Sequence, residues 1–547
     1  MDGRLLINNE RLATDQTLEV KNPATLEPIG NVSLAGEPEC RQALAAAHAA
    51  FPVWNRMSFT EKKKIFRAAR SILLERTRAL AELVCREKGS PYVEALGVDV
   101  LSGLEILDYY SHNLAKVRAP RRQSLQMPLF AHKKNAFLFQ PLGVSLIVSP
   151  WNFPFIIPFG DTISSLAAGN TVVLRPSSTT PFTGLAIGEI FQEAGLPPGV
   201  LNVVNTRTAM AEYLISAPTV ETIMFTGSVG VGKRVMELAS RNLTHVILEL
   251  GGKDPMIVLE DADLEKAVRG ALWGGFMNTG QSCASIERVY VEDKVYKPFL
   301  ERLTAMTKAL RMGDPMDPET DIGPMTTLAQ LETVEGQISD ARARGAEVLC
   351  GGMRSHALPG YFLQPAVLAG VDHSMAIMKE ETFGPVLPVM SVSGIDQALA
   401  LANDCDYGLT ASVWTRDRKK AAWLAERLEA GTVTVNDHMF SFSDPKAIWG
   451  GIKKTGVGRS HGPYGLLEIS NIKFVSMDFS RRRDQSWWFP YSDDRRKIFE
   501  KVTVLLHHKS LWKRVRAMGG LLRFLPQLRK SNSYRNFAEY TDRMLRR

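Results

Sequence analysis

Cysteine is scarce in this chain. The five present, Cys40, Cys85, Cys283, Cys350 and Cys405, are far apart, odd in number and form no Cys-x-x-Cys pair. A disulfide framework and a thiolate zinc site are thereby excluded, no metal site is expected, and a reducing compartment is indicated. Long apolar runs are lacking too: none approaches the roughly 20 residues needed to cross a bilayer, which excludes an integral membrane protein. No period of about 20 to 50 residues recurs, so a solenoid is excluded as well. Residues Met1 to Glu10 show no basic stretch followed by an apolar one, so no secretory signal is read there and a cytoplasmic protein is expected.

What is present is an ordinary globular composition, 45% apolar and 23% charged over 547 residues, enough for two or three domains. The net charge of +8 is unevenly spread. Residues 481–547 carry 18 Lys+Arg against 6 Asp+Glu, leaving 48 against 52 in the rest. A mildly acidic body with a basic appendage argues for an enzyme with a docking segment rather than a specific nucleic-acid binder.

Along the body, apolar spacing from Ile65 to Val84 predicts one amphipathic helix over 60–89, capped at Thr60 and stopped at Gly89. From 143 on, short apolar runs (143–149, 171–174, 201–204, 222–225, 245–250) alternate with helical stretches, which reads as a parallel α/β sheet. A second alternation, with strands near 287–292, 386–392, 411–415 and 432–436, predicts a second α/β domain. The polar stretch 116–136 interrupts the first domain and reads as an arm.

Four local features carry chemistry. Cys283 lies in Asn278-Thr279-Gly280-Gln281-Ser282-Cys283, a loop of small residues able to present a thiol to a cleft, although a lone cysteine is more often a small core hydrophobe. Glu249 ends an apolar strand and is followed by Leu250-Gly251-Gly252-Lys253; a carboxylate at an α/β strand end is placed for ligand chemistry, and apolar surroundings raise its pKa toward a working base. Asn152, in Pro150-Trp151-Asn152-Phe153-Pro154, offers an amide suited to an oxyanion. Phe225-Thr226-Gly227-Ser228 leads through Gly230 and Gly232 into a helix, whose N-terminus suits a pyrophosphate.

With Glu381-Thr382-Phe383-Gly384-Pro385 and the Gly450–Gly456 stretch running to Arg459, these motifs resemble, in order and spacing, the aldehyde dehydrogenases. The resemblance spans roughly residues 5–480. It implies an α/β fold of two domains, a Rossmann-like cofactor domain (1–118 and 142–251) and a catalytic domain (252–453). It also implies an oligomerisation arm (119–141 and 454–480), a homodimer or tetramer, and NAD and/or NADP as cofactor.

The implied reaction is oxidation of an aldehyde through a Cys283 thiohemiacetal, held by Asn152, to a thioester hydrolysed with Glu249 as base. Release of the thioester to coenzyme A, and a catalytically dead scaffold on the same fold, are the alternatives. By position, Trp151, Arg175, Ser178, Gly227, Ser228, Gly232, Leu250, Glu381 and Phe383 are the candidate cofactor residues. Arg175 and Ser178 stand where many relatives carry lysine and glutamate, so a 2′-phosphate meets a cation and no anion, and NADP is expected to be accepted alongside NAD. Ser460 stands where relatives often carry glutamate. The expected substrate channel is Phe153, Ile156, Ile157, Met277, Phe440 and Phe442, with Gly160 leaving room. No arginine is placed for a carboxylate, so medium or long aliphatic and aromatic aldehydes are expected ahead of semialdehydes.

Beyond 480 the chain is a basic amphipathic extension. Residues 497–525 mix leucine, valine and tryptophan with lysine and arginine, as expected of one helix lying peripherally on an anionic membrane surface or packing on a partner subunit.

Overall fold

The computed structural model describes residues 2–127, 130–479, 484–485, 487–524 and 526. It divides into two compact units, residues 1–117 with 141–471, and residues 118–140 with 472 onward.

The first unit is built on two sheets. An eight-stranded sheet has the order Gly456–Val457, His245–Glu249, Val220–Thr226, Val144–Val148, Thr171–Arg175, Leu201–Val203, Leu5–Ile7, Glu10–Leu12. Its five middle strands are parallel, and the edges add antiparallel. Chain order reverses beside Val144–Val148, where the two flanking strands lead their following segments away on either side; such a switch point opens a crevice at the carboxyl ends of the strands. A seven-stranded sheet has the order Glu347–Cys350, Ala366–Ala369, Val386–Val392, Ile286–Glu292, Asp254–Val258, Thr410–Trp414, Thr432–Val435. All its pairings are parallel except the first.

These strands form because both faces are covered. Val144–Val148 and Asp254–Val258 are buried at every position, which is why they read as unbroken apolar runs. The helix Ile156–Ala168 is likewise buried along its whole length, and the sequence repeats no polar stripe there.

The predicted helix over 60–89 is two helices, Phe59–Glu75 and Thr77–Lys88, broken at Arg76. Its cap is Ser58, not Thr60: Ser58 accepts from the Glu61 N–H, and the Glu61 carboxylate accepts in return. Gly89 ends the second helix at φ +92°. Residues 454–469 do not belong to the arm. Gly456–Val457 pair with Leu248–Glu249 at the sheet edge, and Gly462–Glu468 is a short helix of the first unit.

The second unit contains most of a three-stranded sheet ordered Ser470–Met477, Lys134–Pro141, Arg121–Arg122. Its basic tail is two helices, Asp493–His507 and Leu511–Leu521, rather than one spanning 497–525. They close a small core of Ile498, Leu505, Ala517 and Leu521, leaving Leu511, Trp512, Val515 and Leu522 exposed. Leu525 and residues 527–547 of the extension lie outside the described residues. Among the described residues no helix is long and apolar enough to cross a membrane.

Candidate active site

Connectivity places the site. The strand His245–Glu249 of the first sheet runs through Leu250–Lys253 directly into Asp254–Val258 of the second. The Cys283 loop enters Ile286–Glu292 and the Glu381–Pro385 loop enters Val386–Val392, so both sit at the amino ends of neighbouring parallel strands. Two glycines let these segments close up. A Cβ on Gly251 would lie 2.6 Å from a Glu381 carboxylate oxygen, and one on Gly252 would lie 2.0 Å from the Cys283 carbonyl oxygen.

The Cys283 loop is bent by three consecutive left-handed residues, Asn278, Thr279 and Gly280, at φ +59°, +56° and +69°. Two of them are not glycine, a conformation that persists only when neighbours over-determine it. The Asn278 N–H donates to Glu94 at 2.9 Å, and the Asn278 side-chain amide donates to the Asn152 and Gln281 carbonyls at 2.9 and 3.0 Å. Gln281 in turn accepts from the Thr326 N–H at 2.9 Å. Asn152 donates one side-chain N–H to the Gln281 carbonyl at 3.1 Å, which fixes its amide on the Cys283 loop and leaves its second N–H for a ligand. A π-helical turn, Ala95–Leu101, brings Asp99 under the start of Ile156–Ala168, where it accepts from the Phe155 and Ile156 N–H groups at 3.3 and 3.0 Å.

Glu249 is buried. Its Oε1 accepts from the Ser460 hydroxyl at 3.2 Å, and its Oε2 has no hydrogen-bond partner among the described residues. Burial pushes its carboxyl up to about 8, with the nearby Asp161 charge adding and Arg459 opposing. Burial, with the Glu381, Asp254 and Glu249 charges behind it, also holds the proton on the Cys283 thiol. Thiolate formation therefore needs an acceptor, and Glu249 is a raised carboxylate lining the same small cavity as Cys283.

The Glu381 loop is held from behind. Glu287, buried against Lys253 at 2.7 Å, accepts from the Thr382 and Phe383 N–H groups at 2.7 and 2.9 Å, and Glu381 accepts from the Gly252 N–H at 3.0 Å. This holds Phe383 at φ +50° with its ring edge-on to Trp151, centroids 5.4 Å apart. At the switch point, the Gly227 N–H donates to the Glu249 carbonyl at 3.0 Å, and the helix Val229–Ser240 begins at Ser228, whose side chain caps nothing. A Cβ on Gly230 would meet open space, whereas one on Gly232 would strike Leu250 at 2.5 Å. Arg175 ends its strand with the guanidinium on the Thr206 carbonyl at 2.9 Å, and Ser178 is exposed in the turn that follows.

A second cavity of ≈ 250 Å³ opens on Cys283. Of the candidate channel residues, Phe153, Ile157, Met277, Phe440 and Phe442 line it, joined by Val98, Trp273, Met439 and Trp449. Ile156 does not. It is fully buried one residue from Ile157, and one helical step of about 100° turns it into the core. Gly160 does not widen the channel either: a Cβ there would face Ile106 and His461.

The aldehyde dehydrogenase family profile matches residues 11–475. The chain belongs to the aldehyde dehydrogenase family. It is 37% identical over 473 residues to the NADP(+) succinate-semialdehyde dehydrogenase of Escherichia coli, covering 86% of this chain and 96% of that one. It is 38% identical over 468 residues to the betaine aldehyde dehydrogenase of Rhizobium leguminosarum bv. trifolii, covering 84% and 94%. Among solved structures, the NAD+ complex of the Bacillus cereus aldehyde dehydrogenase superposes with a TM-score of 0.84 at 34% identity, covering 88% of this chain and 97% of that one.

The sequence reading did not single out Asp161, His461 or Trp449, yet all three line the cavity around Glu249. One signal was available for Asp161: it is the only charged residue in the apolar segment Ile156–Ala168.

Proposed function

We propose that this aldehyde dehydrogenase oxidises an uncharged aliphatic or aromatic aldehyde to its carboxylate with NAD or NADP, and hydrolyses the thioester itself. The observation that carries the substrate class is the channel: its lining is apolar and aromatic apart from Ser282, Ser443 and the thiol, and among the described residues no cation lines it to hold a second carboxylate. The likeness to succinate-semialdehyde dehydrogenases supports a semialdehyde as the competing substrate.

The residues at the switch point fit a dinucleotide. Bare amides at the start of Val229–Ser240 and the open space beside Gly230 suit a pyrophosphate, and Trp151, Glu381 and Phe383 flank the approach to Cys283. When bound, the nicotinamide supplies the hydride acceptor. The protein does the rest. Glu249 takes the thiol proton, and Cys283 Sγ adds to the carbonyl carbon. The resulting oxyanion is held by the free N–H of Asn152 and the Cys283 backbone N–H, each such donor worth roughly 3 kcal/mol in a dry site. Glu249 gives the thiol proton up to solvent, and after oxidation it deprotonates the water that cleaves the thioester. A carboxylate poised there favours hydrolysis over release to coenzyme A.

Activity across aldehydes of rising chain length, benzaldehyde and succinic semialdehyde, with each cofactor, tests the reading. A preference for succinic semialdehyde would overturn the substrate class. Cys283→Ala is expected to abolish turnover with the fold intact.

For assembly we propose a homodimer or tetramer formed through the strand Ser470–Met477, whose Ile472, Phe474 and Met477 are exposed. For the tail, Leu511, Trp512, Val515 and Leu522 among Lys513, Arg514 and Arg516 support a peripheral contact with anionic lipid. Truncation after 480 then releases the enzyme from anionic vesicles; unchanged binding would refute it.

A further inference from the structure

The channel and the cofactor crevice leave Asp161 without a role. Behind Cys283 lies a cavity of ≈ 20 Å³, room for about one water, lined by Asp161, Glu249, Ser460 and His461 as well as the thiol. Two buried carboxylates on one small cavity are costly to keep. Asp161 comes from the middle of the helix Ile156–Ala168 and is 6% exposed; Glu249, from a strand end, is 8% exposed with one oxygen unpartnered.

We propose that Asp161 is a positioning residue for the hydrolytic half-reaction, acting through Glu249: across one bridging water it takes up a proton as Glu249 removes one from the attacking water. The inference rests on the hydrolytic reading above. In the step, the water oxygen bonds to the acyl carbon and the C–S bond breaks. The sulfur regains a proton, the product leaves as a carboxylate, and one proton is left over. Asp161 receives that proton and Glu249 is restored as a base. Nothing is oxidised or reduced.

The charges around the pair suit this. Burial raises both carboxyls, Asp161 to about 7 and Glu249 to about 8, so each holds a proton well above its ordinary range. Ser460 binds only one Glu249 oxygen, Arg459 acts on Glu249, and Tyr110 lies within the field of Asp161. His461, lowered to about 4 by burial, is neutral and offers no competing cation.

The test acylates Cys283 with p-nitrophenyl acetate, removes the excess, and follows loss of the acyl adduct by intact mass spectrometry against pH. In Asp161→Asn the adduct is expected to decay at least about tenfold more slowly, while nitrophenol release on acylation stays within about twofold. The acid limb of the decay moves to lower pH, because removing a like charge eases ionisation of Glu249. Asp161→Glu recovers most of the rate. A proton inventory on the wild-type adduct in H2O and D2O mixtures is expected to be curved, two protons being in flight. Unchanged decay and midpoint in Asp161→Asn, equal slowing of acylation and deacylation, or a linear inventory each overturns the proposal. Failure of the wild type to acylate at Cys283 overturns the underlying reading instead.

Discussion

Replacing Gly252 by alanine puts a methyl carbon 2.0 Å from the Cys283 carbonyl oxygen and 3.2 Å from an Asp254 carboxylate oxygen. Such contacts are not tolerated below 3.0 Å, so relief needs a shift of roughly 1 Å. The obstructing atom is backbone, and its loop is tied by Asn278 to Glu94 and Asn152 and by Gln281 to Thr326. The displacement therefore reaches the nucleophile rather than dissipating in a flexible side chain. Misplacement of a reacting group by about 1 Å costs on the order of 10²-fold in rate, and overpacking costs about 1–3 kcal/mol in stability. Gly252→Ala is thus expected to lose about 10²-fold in kcat/KM and a few degrees in Tm. Cofactor affinity changes less, since Glu381 meets the Gly252 N–H and not its α-carbon side. Gly336→Ala is the control: its Cβ meets nothing within 4 Å, in a helix where alanine is the better residue. Steady-state kinetics with thermal melts of the two variants decide the matter. Activity of Gly252→Ala within about threefold of wild type would show that the nucleophile loop does not depend on this contact.

Asn152→Ala is expected to lower kcat about 10²- to 10³-fold with little change in KM; a KM effect alone would assign the amide to binding rather than to the oxyanion. Ser178→Glu is expected to depress kcat/KM for NADP about tenfold or more, and that for NAD much less, because the new carboxylate repels only a 2′-phosphate; equal losses would remove Ser178 from cofactor choice. Glu249 is protonated more tightly in the folded state, about 8 against an ordinary 4.5, so the stability it confers is present below about pH 4.5 and is lost as pH rises to about 8. Glu249→Gln lacks that loss. Its Tm relative to wild type should climb between about pH 5 and about pH 8, and a difference independent of pH would contradict the burial of the charge.

The parts of this enzyme legible in its sequence are those whose signal is local. Buried parallel strands such as Val144–Val148 announce themselves as short apolar runs, and the Gly251-Gly252 pair marks a close approach before the approaching atoms are known. Thr17–Lys21 and Pro28–Ser33 escaped because a two-stranded hairpin buried mainly at Val20, Val32 and Ser33 leaves no run to see. The break at Arg76 escaped because neither glycine nor proline marks it. Ile156 and Ile157 are chemically alike, and only the rotation of their helix against Cys283 decides which one faces the channel.

Asp161 shows where local reading stops. A lone carboxylate among apolar helix residues is a signal that something must balance it, but Glu249, Ser460 and Cys283 arrive from three other segments of the chain. The residues that perform the reaction sit in compact motifs, because each must be presented by its own turn. Those that set their protonation act through space, and their distance along the chain from the groups they tune is unconstrained. For that reason the proposed nucleophile and base could be named from sequence, while the group proposed to carry the proton away became visible only once the fold had closed around it.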